Sequence, residues 1–291
     1  MKIKFTLILF FVVFAKQLNA QQDEQMSMYL YNKLYVNPAY AGSRDVLSAV
    51  AVARFQWVDF KGAPKTQWFS IHAPLLQKSL GVGAHLVNDQ IGSRTRTSVF
   101  GNLSGSIGLN KKRTRLAAGI SLGADFLGYD FSSLNETKFN MGAGLYYYGD
   151  KFYVSASSPR LLEAKPNNFD TILSKLNSRH YFLSGGYVFT LNSMLKLQPA
   201  ALIKYTPNTP VTADVNLSLL IHDFLVTGVS YRFNESMAVN LIYNIKNTVS
   251  IGYMYDFPIN GLRTYQTGSH EIFLRYDFKP KKSVFTSPRY F

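Results

Sequence analysis

Apolar and polar side chains alternate with a period of two residues along most of this chain from Asp45 onward. This period is typical of a β-strand that has one apolar and one polar face. The clearest case lies within 99–126, where large aliphatic side chains share one face and glycine, alanine, serine, asparagine and aspartate share the other. Such small and polar side chains are poor material for a soluble core, but they suit the interior of a barrel whose outer wall faces lipid.

The alternation predicts fourteen strands, most of them close to the 9–11 residues that a tilted transmembrane strand requires. We therefore predict an all-β protein that forms an antiparallel, transmembrane outer-membrane β-barrel. The strands are expected at 45–56, 65–73, 81–89, 97–110, 114–126, 138–148, 151–158, 180–191, 194–205, 212–221, 224–232, 237–245, 248–257 and 269–278.

The links between these strands alternate in length, which gives an independent test of the barrel. Links after even-numbered strands are mostly tight, and long links are expected after odd-numbered strands, at 57–64, 127–137, 159–179 and 258–268. Outer-membrane barrels have short periplasmic turns and longer outer loops, so an even strand number predicts that both termini are periplasmic. A soluble propeller would also have many short strands, but it would not need this alternation of link length.

The N-terminus carries the features of an export signal. Lys2 and Lys4 precede an apolar run at 5–15, and Ala20 supplies a small residue at the cleavage position. Because the run is about half the length of a membrane-spanning helix, we expect residues 1–20 to be a cleaved signal peptide. Removing its three lysines lowers the net charge of the chain from +14 to +11.

Residues 21–44 are predicted to form a separate N-terminal segment, followed by the barrel at 45–278 and a basic tail at 279–291. The segment is too rich in methionine, tyrosine and leucine to remain solvated in the periplasm. Two interpretations stay open: a plug-like segment or base packed inside the barrel, or an aromatic docking surface for a periplasmic partner. Its candidate partner-binding residues are Tyr35, Asn37, Pro38 and Tyr40.

The link between the seventh and eighth strands is a second candidate for partner binding. Ile172 and Leu176 have helical spacing, and Phe169 lies just before them, so a short amphipathic helix over the barrel mouth is expected. This helix would be either a lid on the lumen or an outer cradle for a secreted protein, in which apolar side chains would be the anchors.

The sequence lacks the residue patterns of common enzymes and cofactor sites. It contains no cysteine, and its five histidines are scattered without a paired metal-binding motif. Nucleophile elbows, phosphate-binding loops and dinucleotide fingerprints are also missing from it. We therefore predict a protein that is not an enzyme, has no cofactor or metal, and binds no nucleic acid, since an exported barrel would not meet one.

The stretch QMSMYLYNKLYVNPAYAGS at 25–43 resembles the opening of the PorP/SprF family of type IX secretion proteins, whose mature chains begin with an aromatic segment closing in NPAYAG. The likeness continues in order along nearly the whole mature chain. Its further matches are GAPKTQ at 62–67, NDQIG at 88–92, FNMGAGLYYYGDKFYVSASSPRLL at 139–162, GGY at 185–187 with LQPA at 197–200, and TGSHEI at 267–272.

The resemblance implies an outer-membrane component of the secretion and gliding apparatus of Bacteroidota. It implies that the chain docks or retains the C-terminal domain of a secreted adhesin, and that it contacts periplasmic ring, motor or peptidoglycan-associated proteins. A diffusion channel or hydrophobic-solute transporter is the alternative, because fourteen strands enclose more space than a barrel filled by its own side chains.

Overall fold

The computed structural model describes residues 26–75, 79–109, 114–130, 132–162, 179–207, 209–246 and 248–278. The described residues form fourteen antiparallel strands, the eighth of which is interrupted at Val188. The predicted signal peptide at 1–20 and the basic tail at 279–291 lie outside the described residues. The strands are β1 (Leu47–Phe55), β2 (Lys65–Leu75), β3 (Leu80–Ile91), β4 (Arg94–Gly108), β5 (Arg115–Tyr129), β6 (Ser132–Tyr148), β7 (Phe152–Ser158), β8 (Tyr181–Tyr187 with Phe189–Thr190), β9 (Leu195–Tyr205), β10 (Thr212–Ile221), β11 (Leu225–Arg232), β12 (Ser236–Ile245), β13 (Val249–Pro258) and β14 (Ser269–Phe278).

The sheet closes on itself because the first strand pairs with the last. β1 pairs with β2 on one side and with β14 on the other, where Leu47 lies opposite Phe278 and Phe55 lies opposite His270. Every other strand pairs with its neighbours in sequence. The predicted all-β antiparallel barrel of fourteen strands is therefore confirmed.

Side chains on each strand alternate between a buried interior and an exposed outer wall. On β5, Leu116, Ile120 and Leu122 are exposed, whereas Ser121 and Asp125 are buried, as the alternation predicts. The outer wall is mostly aliphatic and aromatic, and the interior holds serine, asparagine, aspartate, glutamate and arginine. A wall of this kind suits lipid on the outside and a polar interior.

The two ends of the barrel differ in their links. The end at which the odd-numbered strands finish carries the links 56–64, 159–180 and 259–268, and we call it the long-link end. The opposite, short-link end has connections such as 149–151, 191–194 and 222–224. The long link predicted at 127–137 is wrong, because β5 and β6 continue as a paired hairpin through most of this stretch. Its polar residues resemble a loop in sequence, yet most of this stretch belongs to the two strands.

Residues 26–46, which we call the inner segment, lie inside the barrel. They form an α-helical turn, α1 (Lys33–Val36), and a 3₁₀ turn (Pro38–Tyr40), and nearly all of their side chains are buried. The core of the molecule consists of apolar residues of this segment packed against inward-facing residues of the wall, including Val50, Val52, Trp68 and Phe273. Within the described parts of the chain, no helix is long and apolar enough to cross a membrane.

Candidate functional site in the barrel interior

The NPAYAG motif forms a compact turn held by one asparagine side chain. Asn37 is extended and precedes Pro38, which begins the 3₁₀ turn, as a residue before proline should. Its carboxamide oxygen accepts the N–H of Ala39 at 2.9 Å. Its Nδ2 donates to the carbonyl oxygen of Leu145 at 2.9 Å and to Oγ of Ser155 at 2.8 Å. Asn37 therefore shapes the turn and also fixes it to β6 and β7.

The wall beneath this turn is lined by glycines that allow the backbones to touch. A Cβ placed on Gly119 would lie 2.4 Å from the backbone nitrogen of Ala39, and one placed on Gly81 would lie 2.1 Å from the carbonyl oxygen of Ala41. The same Cβ on Gly144 would overlap the carboxamide of Asn37. Because no larger residue fits at these positions, they form a glycine seat (Gly81, Gly119 and Gly144) for the motif.

Aromatic contacts hold the same part of the inner segment from the side. The ring of Tyr40 lies 5.2 Å from that of His72 and 5.5 Å from that of Tyr146, both in edge-on geometry. The ring of Tyr35 meets Trp68 at 6.1 Å and His85 at 5.9 Å. Edge-to-face pairs of this kind add roughly 0.5–1.5 kcal/mol each beyond the burial of their area.

The start of the inner segment is held at the long-link end by a cluster of buried charges. Glu271 accepts the backbone N–H groups of Ser27 at 2.7 Å and Met28 at 2.8 Å. Nη1 of Arg54 lies 2.7 Å from Glu271 and 2.6 Å from Asp256, and Asp256 also accepts the hydroxyl of Ser27 at 2.7 Å. We call Arg54, Asp256 and Glu271, together with Arg232 and Asp214, the charge cluster.

Arg232 completes the charge cluster on the other side of the same serine. Its guanidinium donates to Oγ of Ser27 at 3.2 Å and to the carboxylate of Asp214 at 2.9 Å. Buried charges are costly unless they are paired and hydrogen-bonded, and removing one partner leaves the other uncompensated. The cluster therefore favours one position of the segment over others.

Lys33 brings a cation into the middle of the inner segment. Its ammonium donates to the carbonyl oxygen of Leu30 at 2.6 Å and lies 4.6 Å from the ring centroid of Tyr153. The tyrosine face supplies part of the stabilisation that water would otherwise give.

The structure describes four of the seven sequence-predicted site residues. Tyr35, Asn37, Pro38 and Tyr40 are all buried in the barrel. Pro38 and Asn37 lie against the glycine seat, at Gly119 and Gly144, and the two tyrosines pack against aromatic side chains of the wall. Phe169, Ile172 and Leu176 lie outside the described residues. Sequence analysis did not include Asp256 among the candidate site residues, yet the structure buries its carboxylate on the inner face, where it pairs with Arg54. It missed Glu271, although the alternation placed this acidic residue on the inner face.

Because the inner segment runs through the barrel, the two ends of the described chain lie at opposite ends of the barrel. Ser27 lies against Arg54, Asp256 and Glu271 at the long-link end, whereas Phe278 lies opposite Leu47 at the short-link end. The even strand number alone had predicted both termini at one end. The termini themselves are outside the described residues, but the chain enters the described region at the end opposite to Phe278.

Comparison with known proteins gives one family match. The family model described as type IX secretion system membrane protein PorP/SprF matches residues 18–276. No curated protein matches the chain significantly.

Solved structures give barrel matches of low identity. The outer membrane protein Omp33 of Acinetobacter baumannii is 10% identical, with a TM-score of 0.49 over 80% of this chain and 98% of that one. A bacterial polysaccharide outer membrane secretin is 10% identical, with a TM-score of 0.46 over 81% and 99%. The KdgM porin is 10% identical, with a TM-score of 0.38 over 80% and 99%.

Proposed function

Because this chain belongs to the PorP/SprF family of type IX secretion system membrane proteins, we propose that it is a filled docking barrel rather than a channel. Family membership makes it an outer-membrane component of type IX secretion. In the proposal, the barrel docks or retains the C-terminal domain of a secreted adhesin at its long-link, outer end. Its short-link end contacts periplasmic ring or peptidoglycan-associated proteins.

The observation that carries the proposal is the way in which the inner segment is held. Its start is fixed by the charge cluster at one end of the barrel, and its NPAYAG turn is fixed by Asn37 and the glycine seat nearer the other end. A segment held at two separate places occupies the interior as a part of the fold. This arrangement supports a protein that presents surfaces to partners, and it does not favour free diffusion of solutes.

The outer surface for the adhesin is proposed to include the link 159–180, with Phe169, Ile172 and Leu176 as apolar anchors. Exposed apolar side chains on other links at this end support the idea, since Phe60 is 48% exposed and Tyr265 is 69% exposed. Apolar and aromatic anchors of this kind commonly dominate protein–protein affinity.

The periplasmic contact is proposed for the surface of the short-link end. Four residues of the inner segment are buried against the wall: Tyr35, Asn37, Pro38 and Tyr40. In the proposal they do not touch the partner, and they support the contact indirectly by stabilising the barrel. The basic link Lys111, Lys112 and Arg113, which lies outside the described residues, is a candidate for the contact itself. A positive surface would attract an acidic partner.

Single-channel conductance in planar bilayers tests the filled barrel directly. The full-length protein should insert and remain nearly silent, whereas a variant lacking residues 22–43 should insert and conduct ions. Steady conductance by the full-length protein would favour the alternative, a diffusion channel. A deletion variant that inserts and stays silent would show that the inner segment does not close the lumen.

A further inference from the structure

A chamber of about 340 Å³ lies within the link 56–64 at the long-link end of the barrel, and we call it the link chamber. Aromatic side chains line it together with a cation and a carboxamide, and the link itself supplies the rest of the lining. The side chains that matter here are Phe55, Trp57, Phe60, Lys65 and Gln90. Aromatic rings with a few convergent polar groups are typical of a pocket that binds a small ligand.

The backbone of the link is held in a fixed and uncommon form. The N–H of Val58 donates to the carbonyl oxygen of Gly268 at 2.9 Å, which ties the link to its neighbour around the mouth of the barrel. Trp57 and Asp59 have left-handed backbone, with φ of 49° and 73°. Residues other than glycine rarely adopt this form, and where the surroundings impose it, the position is often part of a ligand site.

Next to the link chamber, a groove of about 320 Å³ lies on the outer wall, and we call it the wall groove. The small side chains of Ala51 and Ala53 on β1 leave the space, and larger apolar side chains of β2, β3 and β14 flank it. The flanking residues are Phe69, Leu86, Ile272 and Leu274. Since the outer wall of the barrel faces lipid, a groove of this kind fits an acyl chain.

Strand register shows that the two cavities adjoin. Phe55 lies opposite Lys65, which lies opposite Gln90, and all three line the link chamber. Ala53 lies opposite Gln67, and both line the wall groove. The two rows are two residues apart on the same strands, which is about 7 Å. A polar, cationic cavity therefore opens beside an apolar one, as the binding site of an amphiphile requires.

The charges at the link chamber favour an anionic ligand. Lys61 and Lys65 are both exposed, and neither has an ion pair within the described part of the chain. The carboxylate of Asp59 also borders the chamber, where it accepts the hydroxyl of Thr267 at 2.9 Å. Two cations thus face one carboxylate that already has a hydrogen bond. Lysine is a common ligand of phosphate groups.

Other sectors of the wall have different residues at this end of the barrel. The outer residues of β9, β11 and β13 there are aromatic and exposed: Tyr205, Tyr231 and Phe257. Such residues are typical of the boundary between lipid and water. On β2 the corresponding outer residues are Lys65 and Gln67. This sector therefore offers a cation and hydrogen-bonding groups at the boundary, beside the wall groove.

We propose that the link chamber and the wall groove together bind lipid A, the phosphorylated and acylated disaccharide of the outer leaflet. Lys61 and Lys65 bind a phosphate group, the rings of the chamber pack against a sugar, and an acyl chain lies in the wall groove. The chamber has aromatic faces and more room than a phosphate group alone needs, which favours lipid A over a glycerophospholipid. The placement of this site in the outer leaflet rests on the proposed function, which puts the long-link end outside.

Native mass spectrometry of the purified barrel with added bisphosphorylated lipid A is the first test. The barrel should retain lipid A, and it should bind lipid A without its phosphates, or phosphatidylethanolamine, at least tenfold more weakly. No retention of lipid A, or equal retention of all three lipids, would overturn the proposal.

A pair of lysine substitutions tests the cationic part of the site. Lys61→Gln together with Lys65→Gln should weaken the binding of lipid A about tenfold. Lys151→Gln together with Lys246→Gln is the matched control, because it makes the same change of charge at exposed residues of the short-link end. Equal binding by the two double variants would show that the link chamber does not hold the phosphate.

Filling the wall groove tests the acyl chain. Ala53→Leu places a larger side chain in the groove and should weaken the binding of lipid A about tenfold. Ala213→Leu is the control, because Ala213 lies on β10 and borders neither cavity. Heat-modified gel mobility checks that both variants fold. Undiminished binding by Ala53→Leu would mean that the chain does not lie in the groove.

Lipid binding and retention of the secreted adhesin are separate measurements, so the two proposals can fail separately. If the purified barrel binds no lipid A while deletion of the gene lowers surface retention, the proposed function stands and the lipid site is wrong. If the barrel binds lipid A as expected but deletion of the gene leaves retention unchanged, the lipid site stands and the proposed function is wrong.

Discussion

The carboxylate of Glu271 accepts the backbone N–H of Ser27 at 2.7 Å, although 244 positions separate the two residues in the chain. The same carboxylate accepts the N–H of Met28 and is paired with Arg54. One side chain of the last strand therefore holds the start of the inner segment and helps to neutralise a buried cation. This contact makes the position of the segment depend on the closed barrel.

Replacing Glu271 by glutamine should loosen the start of the inner segment. The amide keeps one acceptor oxygen and loses the charge that pairs with Arg54, so one backbone hydrogen bond and part of the ion pair disappear. Amides of residues 27–31 should exchange about tenfold faster, since such a loss costs roughly 1–3 kcal/mol. Glu235→Gln is the control, because Glu235 is partly exposed and contacts only the rim of the cluster at Arg232. Equal exchange in both variants would show that Glu271 does not hold the segment.

Adding a methyl group to the glycine seat should displace the NPAYAG turn. Gly119→Ala places a carbon 2.4 Å from backbone atoms that cannot move separately, whereas Gly105→Ala on the outer wall meets nothing nearer than 4.0 Å. We expect the first variant to lose roughly 1–3 kcal/mol of unfolding free energy and the second to lose little. Urea unfolding of the purified barrels measures the difference. Similar losses in both would mean that the seat does not carry the turn.

Surface labelling of introduced cysteines should show that the chain enters the barrel from the long-link end. The natural sequence contains no cysteine, so each introduced thiol reports one position. Gln25→Cys and Ser93→Cys should both react with an impermeant reagent on intact cells, and Ser193→Cys, in a short link, should not. If Gln25→Cys instead behaves like Ser193→Cys, the start of the segment faces the periplasm.

Serine at Phe169, Ile172 and Leu176 should reduce retention of the secreted adhesin while leaving membrane insertion intact. The reason is that these three residues belong to none of the described strand pairs, so we expect the substitutions to remove apolar anchors without breaking the ladder. Immunolabelling of whole cells measures retention, with Leu191→Ser as the control, because Leu191 is exposed in a short link at the opposite end of the barrel. Unchanged retention in the triple variant would remove this link from the binding surface.

Local patterns in the sequence were sufficient to predict most of the wall of the barrel. Period-two alternation predicted the fourteen strands and the inward side chains, such as Ser121 and Asp125, because the side-chain direction of a strand depends only on position along it. The alternation of link length predicted which end carries the long links. It failed at 127–137, where polar residues that resemble a loop belong to paired strands.

The contacts inside the barrel could be identified only from the tertiary structure. The sequence marked residues 21–44 as apolar and left plug and docking surface as alternatives, since a run of tyrosines and methionines can pack against any apolar or aromatic surface. Only the closed barrel brings Gly119 beneath Ala39 and Asn37 beside Ser155. These contacts join residues far apart in the chain, and no local pattern encodes which of them will meet.

The sequence by itself determined the strands, their two faces and the family, because each of these depends on residues within a few positions of one another or on an ordered series of motifs. The tertiary structure decided that the inner segment runs from Ser27 at the long-link end toward Leu47 at the short-link end, and that β6 extends beyond its pairing with β7. Both outcomes follow from where strands of unequal length end once the barrel has closed. Strand pairing and register determine where each strand ends in three dimensions. These positions cannot be obtained from the order of residues in the sequence alone.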